Sequence, residues 1–309
     1  MTLVSAVIPT LGRECLFRAL NSVLAQTYRI HEILVVADTD RAFDVPDDPR
    51  IQVIRVGPGA GGNVARQVGI EHATGDVIAL LDDDDLWLPN KISRQLAQAH
   101  PQIDTGKDWI ASCRAEAHGL REGVAVWPGR RISHQESLPE YMFMKRRIRG
   151  GTGMMQASML VFPRALALRV PFDRSLRFHQ DISWLIDVAH ASPDVVIHQV
   201  WEPLCVYEVT LGTGSVSQTI KIDASIAWAK DRLKGDGARI LGDFILTHTL
   251  ILAFRSGSAS EVLRVAIAGM RVGRPGAAAL GYAGATLVKS VFAKIRPCFV
   301  DGFGFTFRR

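Results

Sequence analysis

Four consecutive aspartates, Asp82 to Asp85, close the short apolar run Val77 to Leu81. Carboxylates this close repel one another unless a cation or several hydrogen-bond donors compensate them. Hard divalent ions such as Mn2+ and Mg2+ take oxygen ligands, and Mg2+ commonly combines one or two carboxylates with the phosphate oxygens of a substrate. The cluster therefore reads as a metal site serving a diphosphate. The lesser alternative is a solvated acidic turn that caps a helix starting near Leu88, with Asp85 as the helix-start residue. Two further acids sit at element ends. Asp38 closes the apolar run from Glu32, and Asp181 follows His179 and Gln180 just ahead of a helical pattern through Trp184, Leu185 and Val188.

The elements that must position these acids follow from periodicity. Val4 to Ile8 predicts a buried strand that ends at Pro9 and Thr10, and Leu16, Leu20, Val23 and Leu24 recur at helical spacing behind it. Glu32 to Asp38 and Ile51 to Val56 predict two more strands, Asn63 to Ala73 a helix, and Val77 to Leu81 the strand that delivers the aspartates. This alternation predicts an α/β fold, an open and mostly parallel sheet flanked by helices, with ligands beyond the carboxyl ends of its strands. Arg66 lies on the helix before the aspartate strand, where its charge suits a diphosphate; a surface arginine paired with an acid is the equal alternative. Further on, Ala157 to Phe162 predicts a strand, and Val195 to Ile197 with Leu204 to Tyr207 a strand pair.

Beyond Thr219 the composition shifts to Ala, Leu, Ile, Lys and Arg, which predicts two or three helices. We therefore expect a sheet domain over residues 1–218 and a helical C-terminal extension over 219–309. Segment 239–254 is apolar, but Arg239, Asp243 and His248 interrupt it and it falls short of the roughly 20 residues of a membrane span. Residues 262–295 mix Arg264, Arg271, Arg274, Lys289 and Lys294 with small and apolar residues. That mixture suits a helix lying on an anionic membrane surface, and equally a helical pair with a solvated basic face.

Bulk composition narrows the function classes. With 48% hydrophobic and 22% charged residues, the chain has the make-up of a folded protein rather than a disordered one. A net charge of +5 favours anionic partners. The basic residues are not interleaved with aromatics in a nucleic-acid module, so no nucleic acid is expected. Pro9-Thr-Leu-Gly-Arg13 matches neither GxxxxGK[ST] nor GxGxxG, which weighs against a phosphoryl-transfer enzyme with a phosphate loop. Cys15, Cys113, Cys205 and Cys298 have no metal-site or disulfide-framework spacing, and the N-terminus has no export signal pattern; a reducing cytoplasm is expected.

The block Gly62-Asn-Val-Ala-Arg66, Gly69-Ile70 and Ala73-Thr-Gly-Asp-Val-Ile-Ala-Leu-Leu-Asp-Asp-Asp-Asp-Leu-Trp-Leu-Pro-Asn-Lys91 resembles the central block of the inverting glycosyltransferases of family 2, which have the GT-A fold, a Rossmann-like sheet that binds nucleotide-diphospho-sugars. Val4 to Thr10, Ser22 to Thr27 and Glu32 to Asp38 are similar to the family's first strand, following helix end and second strand, and the resemblance covers about residues 3–210. It implies metal-dependent transfer of a sugar, with inversion, from a nucleotide-diphosphate donor, a UDP-sugar being favoured, to an acceptor hydroxyl. By the same resemblance Asp38 holds the nucleobase, and Pro9 and Thr10 form the backbone edge of the nucleotide pocket. Asp84 carries Mn2+ or Mg2+, and Asp82 and Asp83 reach ribose, metal or sugar. Asp181 matches the aspartate that is the family's catalytic base, the lesser alternative being that it caps a helix beginning at Ile182. His179 and Trp184 are acceptor-side candidates by residue type and place rather than by the resemblance, and a structural histidine and a core tryptophan are the plainer readings.

The chain departs from the family pattern at three positions. Ala37 and Thr39 replace an acid and a glycine of the second-strand motif, which leaves the base unassigned, and Gln180 replaces the first of two acids, which leaves Asp181 alone. A catalytically degenerate relative and a nucleotidyltransferase stay open as alternatives. The setting implied is bacterial polysaccharide, lipopolysaccharide or glycolipid synthesis. The protein would be cytoplasmic and peripheral on the cytoplasmic face of the inner membrane, with a glycan or lipid-linked acceptor and peripheral contact with anionic membrane.

Overall fold

Uninterrupted apolar runs belong to strands covered on both faces, and here they form the parallel half of the sheet. The elements, in a computed structural model that describes residues 2–120, 123–209 and 221–295, run β1 (Val4–Thr10), α1 (Leu16–Leu24), β2 (Glu32–Ala37), β3 (Ile51–Arg55), α2 (Gly62–His72), β4 (Val77–Leu80), β5 (Leu86–Trp87), α3 (Lys91–Thr105), β6 (Trp109–Leu120) and β7 (Gly123–Trp127). They continue as α4 (Leu138–Phe143), β8 (Val161–Pro163), α5 (Arg164–Arg169), α6 (Gln180–Ala191), β9 (Val196–Glu208), α7 (Ile222–Arg232), α8 (Ala238–Phe244), a π-helical turn (Ile245–Thr249), α9 (Leu250–Arg255), α10 (Ala259–Val272) and α11 (Ala277–Ile295). The strands make one sheet ordered β3-β2-β1-β4-β8-β6-β9-β5, with β7 paired to β6. β1, β2, β3 and β4 are mutually parallel, whereas β8 runs antiparallel between β4 and β6.

One buried carboxylate locks the aspartate-bearing strand in place. Glu32 accepts hydrogen bonds from Ser5 Oγ (2.7 Å), Thr74 N (2.6 Å), Thr74 Oγ1 (2.8 Å) and Gly75 N (3.3 Å). Burial alone would raise its pKa, but these donors outweigh burial and hold it below the usual value. The turn before β4 is thereby tied to β1 and β2, and the register Val7↔Leu80 sets where the chain leaves the sheet.

Three expectations are corrected. The strand pair at 195–197 and 204–207 is the single strand β9, which runs beside β6 through a register shift around Arg114, whose partner is Pro203. A proline lacks the ladder N–H and is tolerated at such irregularities. The strand expected over 157–162 begins only at Val161 and is preceded by a single 3-10 turn, Ala157–Met159, whose polar groups are recruited by two aspartates. The helix expected near Leu88 starts at Lys91, after β5.

Residues Met1–Gly119, Gly123–Pro128 and Met155–Val209 form the sheet unit, and Leu120–Glu122, Gly129–Met154 and Thr210–Arg309 form a helical unit. The boundary expected at 218/219, and Cys298, lie outside the described residues. In the helical unit Phe143 meets Phe244 edge-on (5.1 Å), Phe244 stacks on His248 (5.0 Å), and Trp228 leans on Phe244 (5.0 Å). Burial, with Lys145 nearby, pushes His248 down to about 4, so its ring is neutral at pH 7. Asp243 is fully buried and accepts from Lys145 N (2.9 Å), Arg239 Nε (2.9 Å) and Gly276 N (2.8 Å), which joins the segment after α4 to α8 and to the start of α11. The apolar stretch 239–254 is thus the core of this unit, and among the described residues no helix is long and apolar enough to cross a membrane.

Candidate active site at the carboxyl ends of the strands

β1, β2 and β4 end side by side, which brings Thr10, Asp38 and the aspartates together. The four aspartates alternate. Asp83 and Asp85 turn inward and are almost fully buried, while the side chains of Asp82 and Asp84 are each 27% exposed. Asp83 accepts from Thr10 Oγ1 (2.6 Å) and Arg13 Nε (3.3 Å), and its other oxygen accepts from Arg13 Nη2. Asp85 accepts from Ser158 Oγ (2.6 Å), Gln156 Nε2 (3.2 Å) and Glu208 N (3.2 Å). It therefore caps no helix. Burial, with Asp82 close by, nevertheless pushes its pKa well above the usual range.

Two arginines supply the compensating charge. Arg13, on the loop after β1, bridges Asp83 and Asp84, reaching Asp84 at 2.9 Å. Burial opposes its charge, and the bond to Asp83 more than restores it. Arg66, on α2, is buried rather than solvated. It donates to Asp82 Oδ1 (2.6 Å) and Gln180 Oε1 (2.7 Å), and its Nη2 stands 3.8 Å from Asp181 Oδ1. Burial works against this charge too, and Asp82 and Asp181 hold it in place. Gln180, the departure from the family pattern, thus serves as a neutral acceptor for the same guanidinium.

Asp181 lies in the first turn of α6, but its carboxylate does not cap that helix. Its Oδ2 accepts from Ala157 N (2.9 Å), across the site. Burial raises its pKa, Arg66 pulls it back and Asp82 pushes it up again, with a net rise. Tyr207, near the end of β9, is pushed up to about 12 by burial and by the surrounding aspartates, so its hydroxyl stays protonated. Asp84 is likewise raised, first by burial and then by Asp82. Asp84 and Asp181, held back from ionising by burial, would ionise more readily beside an added cation.

Among the described residues no three His, Cys, Asp or Glu side chains converge as a metal cage. The open donor set is two part-exposed carboxylates, Asp82 and Asp84. That set fits an ion which draws its remaining ligands from phosphate oxygens and water, as Mg2+ does, and does not fit a self-sufficient protein cage.

The remaining expected residues are placed as follows. Asp38 accepts from Ala60 N and Gly61 N (both 2.7 Å), so it clamps the loop between β3 and α2. Gly57 lies against it so closely that a Cβ there would stand 1.8 Å from Asp38 Oδ1. Pro9 is part-exposed on β1, and the Thr10 carbonyl accepts from Asp38 N (2.9 Å). His179 has a left-handed backbone (φ 52°) and precedes α6, its carbonyl accepting from Ser183 N (2.9 Å). Asp83 has both oxygens engaged by Thr10 and Arg13, as Asp38 has by Ala60 and Gly61. One assignment is corrected. Trp184 does not line an acceptor site, because it is fully buried, stacks on Phe172 (4.8 Å) and donates to Val170 O (2.8 Å). Sequence reasoning missed Arg13, Gln156 and Ser158; the only signal available was an arginine just past the end of β1.

A family model described as Glycosyl transferase family 2 matches residues 5–166. The amylovoran biosynthesis glycosyltransferase AmsB of Erwinia amylovora is 26% identical over 239 residues, 72% of this chain and 75% of that protein. An Escherichia coli protein, UDP-Glc:alpha-D-GlcNAc-diphosphoundecaprenol beta-1,3-glucosyltransferase WfgD, is 36% identical over 101 residues, which is 31% of this chain and 40% of that one. Among solved structures, S. aureus TarS 1-349 in complex with UDP-GlcNAc aligns with a TM-score of 0.52 at 14% identity, covering 94% of this chain and 92% of that one, a likeness of fold.

Proposed function

Because the chain belongs to glycosyl transferase family 2, we propose that it moves one sugar from a nucleotide-diphosphate donor, a UDP-sugar, to an acceptor hydroxyl with inversion at the anomeric carbon. The observation that carries this reading is the Arg66 guanidinium, which holds Asp82 at 2.6 Å and stands 3.8 Å from Asp181. One fixed cation thereby sets a donor-side carboxylate and a candidate base at a defined separation. Asp181, kept in place by Ala157 N and with its pKa raised towards the working pH, accepts the proton of the acceptor hydroxyl. Asp84 and Asp82 are the residues that would hold Mn2+ or Mg2+, and the ion would neutralise charge on the departing diphosphate. Arg13 keeps Asp84 in position meanwhile. Asp38 and the backbone of Pro9 and Thr10 form the base pocket, with His179 at the acceptor side. The setting that suits both relatives is synthesis of a bacterial surface polysaccharide or glycolipid on a glycan or lipid-linked acceptor, at the cytoplasmic face of the inner membrane.

The test is a thermal-shift screen with Mn2+ or Mg2+ and UDP, GDP, dTDP or CMP, repeated with Asp84→Ala. A nucleotide at about a hundred times its dissociation constant adds about 2.7 kcal/mol of stability, readily visible in the melting temperature. The expected result is a metal-dependent shift with UDP that Asp84→Ala abolishes. No shift with any nucleotide would overturn the metal-dependent UDP-sugar reading and favour a catalytically degenerate member of the family.

A further inference from the structure

Helix α11 is built inside out. Its buried side carries Ala279, Ala283, Thr286 and Ser290, whose two hydroxyls donate back to the carbonyls of Tyr282 (2.8 Å) and Leu287 (2.7 Å). Its outward side carries Leu280, Val288, Val291 and Phe292, which are 41 to 62% exposed. Positions 280, 284, 288 and 291–292 recur at helical spacing, so these side chains share one face. A helix packed on a core and facing water has the opposite arrangement, and clustered apolar exposure marks a surface meant to be covered. α10, which packs on α11, adds Leu263 and Met270 to the exposed apolar set.

Charge decides what covers this face. The helical unit carries 21 Lys and Arg against 9 Asp and Glu, whereas the sheet unit carries 15 against 22. α7 and α10 line a groove of about 550 Å³ with Leu263 and Ile267 together with Lys230, Arg264 and Arg271. Arg264 is committed to Asp223 and Glu261. Lys230 and Arg271 are the groove's other cations. A second copy of so basic a unit would meet it with the same sign of charge. An anionic bilayer takes the apolar side chains into its acyl boundary and the cations at its phosphates.

We propose that the face formed by α11 and the adjoining side of α10 rests on an anionic phospholipid surface, with Leu280, Val288, Val291 and Phe292 inserted and Lys230 and Arg271 at the headgroups. The test reads lipid binding rather than turnover, so its outcome does not depend on the transferase reading.

The experiment is co-sedimentation of the full chain with vesicles of phosphatidylglycerol and phosphatidylethanolamine, and with vesicles of phosphatidylcholine alone. The expected result is binding to the first and not the second, weakened by salt. Val288→Asp with Phe292→Asp should lower partitioning at least about tenfold without moving the melting temperature, since both side chains are exposed. Lys230→Gln and Arg271→Gln should each weaken it about fivefold. Absence of binding to the anionic vesicles, or binding indifferent to all four substitutions, overturns the proposal. So does light scattering that shows a dimer which Val288→Asp with Phe292→Asp turns into a monomer while vesicle binding stays unchanged, because a second copy then covers the face.

Discussion

Asp82 in the sheet unit and Asp243 in the helical unit are both carboxylates held by an arginine, yet the two are finished differently. Asp243 is sealed from solvent, and its oxygens are shared among two backbone amides and Arg239. Asp82 receives Arg66 on one oxygen and keeps part of its surface open beside Asp84 and Asp181. A buried acid whose acceptor capacity is filled by its own chain holds the fold together. An acid compensated by charge but left incompletely bonded keeps capacity for a ligand.

The substitution with the largest expected effect acts on the open set. Asp181→Asn keeps an oxygen for Ala157 N and removes the proposed proton acceptor, so kcat is expected to fall about a thousandfold with the melting temperature unchanged, in the range of general-base losses. Turnover within tenfold of wild type would erase the distinction between the two kinds of acid. In the wild type, kcat/KM should fall as pH drops through a value above the ordinary 3.8 of aspartate, because burial raises the Asp181 pKa and the base works only when ionised. Its effect on stability runs the other way. A raised carboxyl pKa favours the folded state below the unfolded value, and that advantage is lost as pH rises through the folded pKa.

Arg66→Met ranks next. It strips the shared cation from Asp82 and Asp181, and urea denaturation should register a loss of about 3 kcal/mol or more, with Arg66→Lys losing less. Asp243→Asn in the closed set should cost about 1–3 kcal/mol and leave nucleotide-induced melting shifts intact, which separates a fold-holding acid from a ligand-facing one. The smallest effect concerns Lys91. It is fully buried, its Nζ has no hydrogen-bond partner, and it stands 4.5 Å from the Trp87 ring centre. Burial lowers its pKa, so the unfolded chain binds its proton more readily and stability falls as pH drops through the folded value. Lys91→Met should raise stability at neutral pH by about 1 kcal/mol and flatten that pH dependence, as read from denaturation at pH 6 and 9.

The parallel half of the sheet was legible in the sequence because β1, β2 and β4 are local apolar runs that end at polar residues. The acids of the candidate site were legible for the same reason, since each sits where an apolar run or a helix pattern changes. Their partners were not. Arg13 lies 70 residues from Asp83, and Ser158 lies 73 from Asp85, so the first pairing exists only once β1 is laid beside β4 and the second only once β8 is. Trp184 could be read as an acceptor platform because composition alone does not say which ring is covered; Phe162 and Phe172 cover it. In α11 the periodicity showed a helix, but which of its faces is buried depends on what packs against it.

The contact between Gly57 and Asp38 also constrains how this pocket can be rebuilt. A Cβ at residue 57 would lie 1.8 Å from the Asp38 carboxylate, so every side chain is shut out there for as long as Asp38 keeps its place. A mutational library is therefore better aimed at position 38 than at position 57. Truncating the side chain at 38 does not free position 57, because the Asp38 backbone carbon would still stand 2.9 Å from that Cβ, so the glycine is demanded by the backbone as well as by the carboxylate.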